Sequence, residues 1–120
     1  MNEIIITVSV MSGPQDGRVF RLPLPRTGEE KTVLIGRSED SDIPLGYDSQ
    51  VSRQHAKLLC AYNDETMADI SVPERVRVQL VDAGSRNGTY IDGRRLRDEI
   101  VLLLPGQLFR VGRTWLRLDP

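Results

Sequence analysis

The chain has 120 residues and a mass of 13.5 kDa, a length typical of one domain that buries roughly two thirds of its unfolded surface. Its 16 basic and 17 acidic groups give a net charge of -1, which excludes a general basic surface for nucleic acid or anionic membranes. A single cysteine, Cys60, and a single histidine, His55, exclude an internal disulfide and a zinc site of the usual three or four ligands.

Alternating apolar residues predict short strands along the whole chain. Apolar residues recur at every second position in 4–10, and the glycines and proline of 13–17 form a turn before a second strand at 19–22. The same pattern predicts further strands at 32–35, 56–62, 76–81, 89–91, 100–104, 108–111 and 115–118. Apart from one helical turn at 64–69, no segment has helical spacing. Nine short strands predict an antiparallel β-sandwich or barrel that forms one domain over residues 1–120.

The beginning of the chain and its hydropathy favour the cytoplasm. Glu3 lies where a signal peptide would carry positive charge, and no apolar run approaches the roughly 18 residues of a membrane helix. A lone cysteine is also typical of a reducing compartment. We therefore expect a cytoplasmic protein without a membrane or nucleic-acid partner.

Three predicted loops combine turn-forming residues with donors that suit an anion. They are the segments 35–38, 51–55 and 82–89. Their side chains supply guanidinium groups, a hydroxyl and an amide, the donor set that a tetrahedral oxyanion uses, from Arg37, Ser52, Arg53, Arg86 and Asn87. No metal motif and no catalytic acid accompany them, so the sequence predicts a binding site without a metal or another cofactor.

These segments resemble the motifs of the forkhead-associated (FHA) domain family. The family pattern is Gly-Arg, then Ser-Arg-x-His, then Ser-x-Asn-Gly-Thr. It stands here as Gly36-Arg37, as Ser52-Arg53-Gln54-His55 and as Ser85-Arg86-Asn87-Gly88-Thr89. The segment 104–112 resembles the closing strands of the family and the 13–22 hairpin its opening ones, so the resemblance extends over nearly the whole chain.

The resemblance implies an all-β, two-sheet antiparallel sandwich of about eleven strands with the ligand loops at one end. It also implies a module that binds phosphothreonine peptides in Ser/Thr kinase signalling and is not an enzyme. The resemblance further implies that Arg37 is the main phosphate ligand, that Ser52 donates its hydroxyl hydrogen to the phosphate and that Arg53 adds a contact to it. Arg86 and Asn87 then contact the peptide.

Four further residues are expected to support the site. A lone histidine at the beginning of a strand is more often buried and hydrogen-bonded than catalytic, so His55 is interpreted as a support of the loops. Asn-Gly is a strong hairpin signal, which makes Gly88 structural. Gly36 and Thr89 are interpreted in the same way. The acids Glu39, Asp40, Asp42 and Asp48 would repel a phosphate that they faced, so we expect them to point away or to orient the arginines.

Three other functions compete with this interpretation. An α/β-hydrolase would need a Gly-x-Ser-x-Gly turn followed by a helix, and Ser85 has neither. Five arginines in 76–97 raise the possibility of nucleic-acid binding, but the net charge and the lack of an aromatic stacking surface oppose it. A phosphate-independent scaffold with the same fold is the remaining alternative, and paired titrations with phosphorylated and unphosphorylated peptide distinguish it.

Overall fold

The computed structural model describes residues 3–25, 29–62 and 76–120. Eleven strands and one short 3-10 helix, Gly13–Gln15, make up its regular structure. The strands are β1 Glu3–Val10, β2 Val19–Pro25, β3 Lys31–Gly36, β4 Ile43–Pro44, β5 Ala56–Tyr62, β6 Val76–Asp82, β7 Thr89–Ile91, β8 Arg94–Arg95, β9 Ile100–Leu102, β10 Leu108–Val111 and β11 Thr114–Leu118. The described residues contain no helix with the length and hydropathy of a membrane span.

The strands form two sheets that pack face to face. One sheet has six strands in the order β2-β1-β11-β10-β7-β8, and the other has five in the order β4-β3-β5-β6-β9. The paired strands run antiparallel except β3 and β4, which are parallel. The predicted two-sheet sandwich of about eleven strands is confirmed.

The core forms because alternate residues of each strand point between the sheets. In β5, Ala56, Leu58 and Cys60 are completely buried, whereas Lys57 between them is exposed. Burial raises the pKa of the Cys60 thiol to about 12, so this cysteine stays protonated inside the core. Phe109 of β10 is also completely buried and fills the space from the opposite sheet. The inward faces of both sheets thus form one apolar layer.

Two strands were not predicted, because each has only two residues. Ile43–Pro44 and Arg94–Arg95 are too short to show any periodicity, and pairing with β3 and β7 alone defines them. The predicted strand at 100–104 ends earlier, at Leu102, although the backbone N–H of the buried Leu103 still donates to the Val78 carbonyl of β6 at 2.8 Å. The predicted helical turn at 64–69, like the whole segment 63–75, lies outside the described residues.

The topology gathers the three motif loops at one end of the sandwich. In one sheet, Ala56 at the beginning of β5 lies between Ile35 near the end of β3 and Asp82 at the end of β6. In the other sheet, Thr89 at the beginning of β7 pairs with Val111 at the end of β10. The loops that follow β3, precede β5 and precede β7 therefore share one end, although up to 50 residues separate them.

Candidate functional site

Gly36 allows two loops to touch where β3 ends. A Cβ atom at this position would overlap the carbonyl oxygen of Arg53, so only glycine fits there. This close approach lets the Arg37 backbone N–H donate to the Ser52 carbonyl at 2.9 Å. The Arg37 side chain is directed by a second bond, from Nε to the Val51 carbonyl at 2.9 Å. Its two Nη groups have no acceptor among the described residues and lie on an exposed side chain.

Ser52 connects the second loop to the third. Its Oγ accepts a hydrogen bond from the Arg86 backbone N–H at 3.1 Å. Because this bond uses only a lone pair of Ser52 Oγ, the hydrogen of the Ser52 hydroxyl remains available to donate to a ligand. The side chain is half-buried, so a ligand can reach it.

His55 lies completely buried beneath the three loops. The Ser52 backbone N–H donates to Nδ1 at 3.0 Å, so Nε2 carries the ring hydrogen and donates to the Gly88 carbonyl at 2.8 Å. Burial lowers the pKa of the ring, and the bond to Gly88 offsets only part of this effect. A neutral, inaccessible imidazole with both nitrogens bonded to backbone joins two loops and has no free atom for a ligand.

A carboxylate that the sequence analysis did not single out organises the third loop. Asp82 Oδ2 accepts from the backbone N–H groups of Gly84 and Ser85 at 3.0 and 2.9 Å, and Oδ1 accepts from the hydroxyls of Ser85 and Thr89, both at 2.6 Å. Burial raises the pKa of Asp82, but these bonds outweigh burial and leave the pKa below its usual value. The order Asp-Ala-Gly-Ser is a signal for such a turn.

Asn87 and Gly88 connect this loop to its neighbour. The Asn87 amide Nδ2 donates to the Gln50 carbonyl at 2.9 Å. This bond leaves the amide oxygen and one N–H hydrogen for a ligand. Gly88 has a φ of 92°, a conformation that favours glycine, and its N–H donates to Ser85 Oγ at 2.9 Å. Thr89 is completely buried, as expected of a structural residue.

Three arginines in addition to Arg37 lie on or beside the motif loops. Arg53 and Arg86 are exposed, and neither guanidinium has a partner among the described residues. Arg95 of β8 was not predicted at the site. Its Nη2 donates to the Arg86 carbonyl at 3.3 Å, and its side chain packs so closely on Gly88 that a Cβ atom there would come within 2.6 Å of Arg95 Nε. No motif in the sequence identifies Arg95 as a site residue, because it reaches the third loop only through the pairing of β7 with β8.

Two of the four nearby acids stabilise the backbone, and none of the four pairs with an arginine side chain among the described residues. Asp48 is buried and accepts from the backbone N–H groups of Gln50 and Arg113 and from the hydroxyl of Thr114, at 2.7–2.9 Å. Asp42 accepts from the Leu34 backbone N–H at 2.8 Å. The remaining two acids, Glu39 and Asp40, are exposed.

The resulting site consists of donors aimed at solvent from three cross-linked loops. The Arg37 Nη groups, the Ser52 hydroxyl and the Asn87 amide are held by backbone bonds at their bases. Within the described ranges no group of three or more potential metal ligands occurs. The arrangement can bind an oxyanion through charge-assisted hydrogen bonds while an amide contacts a neighbouring backbone.

Comparison with known proteins shows the family to which the sequence is similar. The profile of the FHA domain matches residues 33–112. Smad nuclear-interacting protein 1 of Mus musculus is 33% identical over 79 residues, which are 65% of this chain and 20% of that protein. The chain thus corresponds to about a fifth of that relative's length.

Solved structures share the fold over nearly the whole chain. The crystal structure of the FHA domain of the CT664 protein from Chlamydia trachomatis is 26% identical, with a TM-score of 0.71, and the match covers 98% of each chain. The MEK1 FHA domain, solved with the HOP1 pThr318 peptide, is 19% identical with a TM-score of 0.64 over 96% of this chain and 97% of that one.

Proposed function

The chain belongs to the FHA domain family, and on this premise we propose that it binds phosphothreonine in peptide segments of a protein partner. Arg37, Ser52 and Arg53 contact the phosphate, and Arg86 and Asn87 contact the peptide. The observation that carries the proposal is that the Arg37 Nη groups have no acceptor among the described residues, while Ser52, whose carbonyl accepts from the Arg37 backbone N–H, keeps its hydroxyl hydrogen available to a ligand.

The charge and shape of a phosphate suit these donors. A phosphothreonine carries about -1.5 to -2 charges at pH 7 and presents three acceptor oxygens in a tetrahedral arrangement. Arg37 and Ser52 lie on two loops that hydrogen bonds hold together, so both side chains can reach one phosphate at little cost in loop ordering. A Glu side chain presents two oxygens in one plane and a single charge, so it cannot satisfy the same donors.

The type of partner follows from the same chemistry. The MEK1 FHA domain binds a phosphothreonine peptide in its solved complex, and we assign the same class of ligand to this chain. The mark is the product of a Ser/Thr kinase, so the module acts in kinase signalling, and we propose a cytoplasmic location for it. We propose that it binds the marked protein without catalysis, since the side chains assigned to the ligand are hydrogen-bond donors.

Calorimetry with one peptide in three forms tests the proposal. The forms carry threonine, phosphothreonine or glutamate at the same position and are taken from hits of a phosphothreonine peptide library. Only the phosphothreonine form should bind tightly. Equal affinity for the threonine form would refute phosphate dependence and favour the scaffold alternative.

A pair of variants ties binding to the site. Arg37→Ala should lose the phosphopeptide, whereas Arg77→Ala removes the same charge from an exposed residue at the opposite end of β6 from Asp82 and should bind as wild type. Equal loss in both variants would mean that overall charge, and not the site, governs binding.

A further inference from the structure

Four side chains form a row across the outer face of the six-stranded sheet. Trp115 of β11 lies opposite Arg110 of β10, Arg110 lies opposite Tyr90 of β7, and Tyr90 lies opposite Arg95 of β8. Directly opposite residues of neighbouring strands share a face. The row faces outward because the adjacent positions along these strands, such as Val111 and Leu116, are buried.

The row is aromatic and positively charged. The Arg110 guanidinium carbon lies 4.3 Å from the centre of the Tyr90 ring and 5.8 Å from that of the Trp115 ring. The lone tryptophan of the chain is 40% exposed there, an exposed position for so large an apolar ring. The sequence analysis expected no aromatic surface, because the two rings lie on strands that are 25 positions apart.

Both arginines of the row lack a carboxylate partner within the described residues. Arg110 donates only to the Gly112 carbonyl at 2.6 Å, and Arg95 only to the Arg86 carbonyl. Asp119 lies on the same face, but its carboxylate already accepts from Thr7, Ser9 and Arg117 at 2.6–2.9 Å. The positive charge of the row is therefore left to be neutralised by a ligand.

Arg95 makes the row continuous with the candidate phosphate site. Its guanidinium holds the carbonyl of Arg86 and its side chain covers Gly88, so one end of the row is part of the wall of the third loop. A peptide whose phosphothreonine lies among the three loops can thus reach the row at Arg95.

We propose that the row formed by Tyr90, Arg95, Arg110 and Trp115 binds an acidic segment that flanks the phosphothreonine in the same partner. This inference rests on the proposed function and extends the ligand from a single phosphorylated residue to a phosphothreonine with a run of acidic residues. Carboxylates of that segment pair with the two arginines, and its apolar side-chain atoms pack on Trp115.

The dimensions of the row fix the length of the segment. Four adjacent strands have three gaps of about 4.8 Å, so the row is about 14 Å long. An extended peptide covers this distance in about four residues. A nucleic-acid strand fits less well, because the Arg110 guanidinium, 4.3 Å from the centre of the Tyr90 ring, already covers a face of that ring on which a base would stack.

Matched peptides test the proposal by titration at low salt. Each peptide carries the same phosphothreonine core and an eight-residue extension, on either side, with four glutamates or four glutamines. For wild type, the glutamate extension on one of the two sides should bind about three- to tenfold tighter than its glutamine counterpart, the gain expected of two exposed ion pairs. The gain should disappear in 0.5 M salt, which screens exposed charges.

Variants on the same face assign the gain to the row. Arg110→Gln, which removes one of the two ion pairs, should reduce the gain to about two- to threefold, whereas Arg117→Gln, which removes the same charge from a neighbouring position of the same face, should retain it in full. Arg110→Glu places a negative charge beside Arg95 in the row and should remove the preference for glutamate over glutamine. A larger loss than in Arg110→Gln identifies the charge, and not a loss of stability, as the cause. Melting temperatures confirm that each variant is folded.

Several results would overturn the proposal. These are an equal affinity of wild type for glutamate and glutamine extensions, a gain that is undiminished in Arg110→Gln, and a gain that is reduced equally in Arg117→Gln. Arg110-dependent binding of a single-stranded oligonucleotide with no gain from the acidic peptide would also reject it. In all these cases the phosphothreonine core still binds, whereas a failure of the proposed function would appear as no binding of any phosphopeptide.

Discussion

Replacing His55 with alanine tests whether the binding loops depend on one buried ring. The substitution removes the acceptor for the Ser52 N–H and the donor for the Gly88 carbonyl, bonds of 3.0 and 2.8 Å. A buried polar group without a partner costs roughly 1–3 kcal/mol. Gly88 is buried, whereas Ser52 is half-buried and can turn to water. We therefore expect the free energy of unfolding to fall by about 2–4 kcal/mol, including the void left by the ring.

Urea unfolding and phosphopeptide titration of the same samples measure the two effects. His55→Ala should weaken binding because the second and third loops lose their connection, and His55→Gln, which offers one donor and one acceptor, should recover part of the stability. If His55→Ala had the stability of wild type and selectively lost binding, the ring would be a direct ligand and the argument from its burial would be refuted.

Further expectations concern the same end of the sandwich. Arg37→Ala should weaken phosphopeptide binding about a hundredfold or more in calorimetry, since two charge-assisted hydrogen bonds of about 1.5–3 kcal/mol each are lost, and Arg37→Lys should lie between it and wild type. Phosphothreonine should bind several-fold to about a hundredfold tighter than phosphoserine, since only the methyl group distinguishes them in paired titrations. Gly36→Ala should lower both stability and affinity because its Cβ would overlap the Arg53 carbonyl, whereas Gly46→Ala meets its nearest atom at 3.6 Å and should be tolerated in urea unfolding.

The depressed pKa of His55 also predicts how stability depends on pH. The unfolded chain binds a proton at this ring more readily than the folded chain does, so the neutral ring contributes its full stability only above the usual pKa near 6.5. As the pH falls below this value toward the lower pKa of the folded state, that contribution should be lost. Thermal melts from pH 8 to pH 5 should therefore show a decline that His55→Ala lacks.

Much of the fold follows from patterns that the sequence displays directly. The alternation of Ala56, Leu58 and Cys60 with exposed residues predicts both β5 and its buried face, because a strand turns successive side chains to opposite sides. Ile43–Pro44 shows no such pattern. Its pairing with β3 depends on where the following loop places it, and this information is tertiary and not local.

The site is likewise predictable in part. Motif residues such as Arg37, Ser52 and His55 identify the loops, but the supports of those loops have no comparable pattern. Asp48 is connected by hydrogen bonds to Arg113 and Thr114, more than 60 positions away in the chain. Arg95 reaches the third loop only because a two-residue strand aligns it with Tyr90. The motifs therefore predict the ligand-binding loops, whereas the residues that support these loops depend on contacts between distant segments.

The division of the polar groups at this end explains why the site is open to a ligand. Asp48, Asp82 and His55 form their hydrogen bonds with backbone and hydroxyl groups of the chain itself, and these bonds hold the loops in place. Because these carboxylates are engaged, they do not neutralise the guanidinium groups of Arg37 and Arg53 within the described structure. An internal carboxylate paired with Arg37 would have to be displaced by every ligand and would reduce affinity by the energy of that pair. The acids thus stabilise the loops, while the Nη groups of Arg37 and Arg53 have no internal partner within the described structure. A phosphate can therefore bind these groups without displacing a carboxylate of the protein.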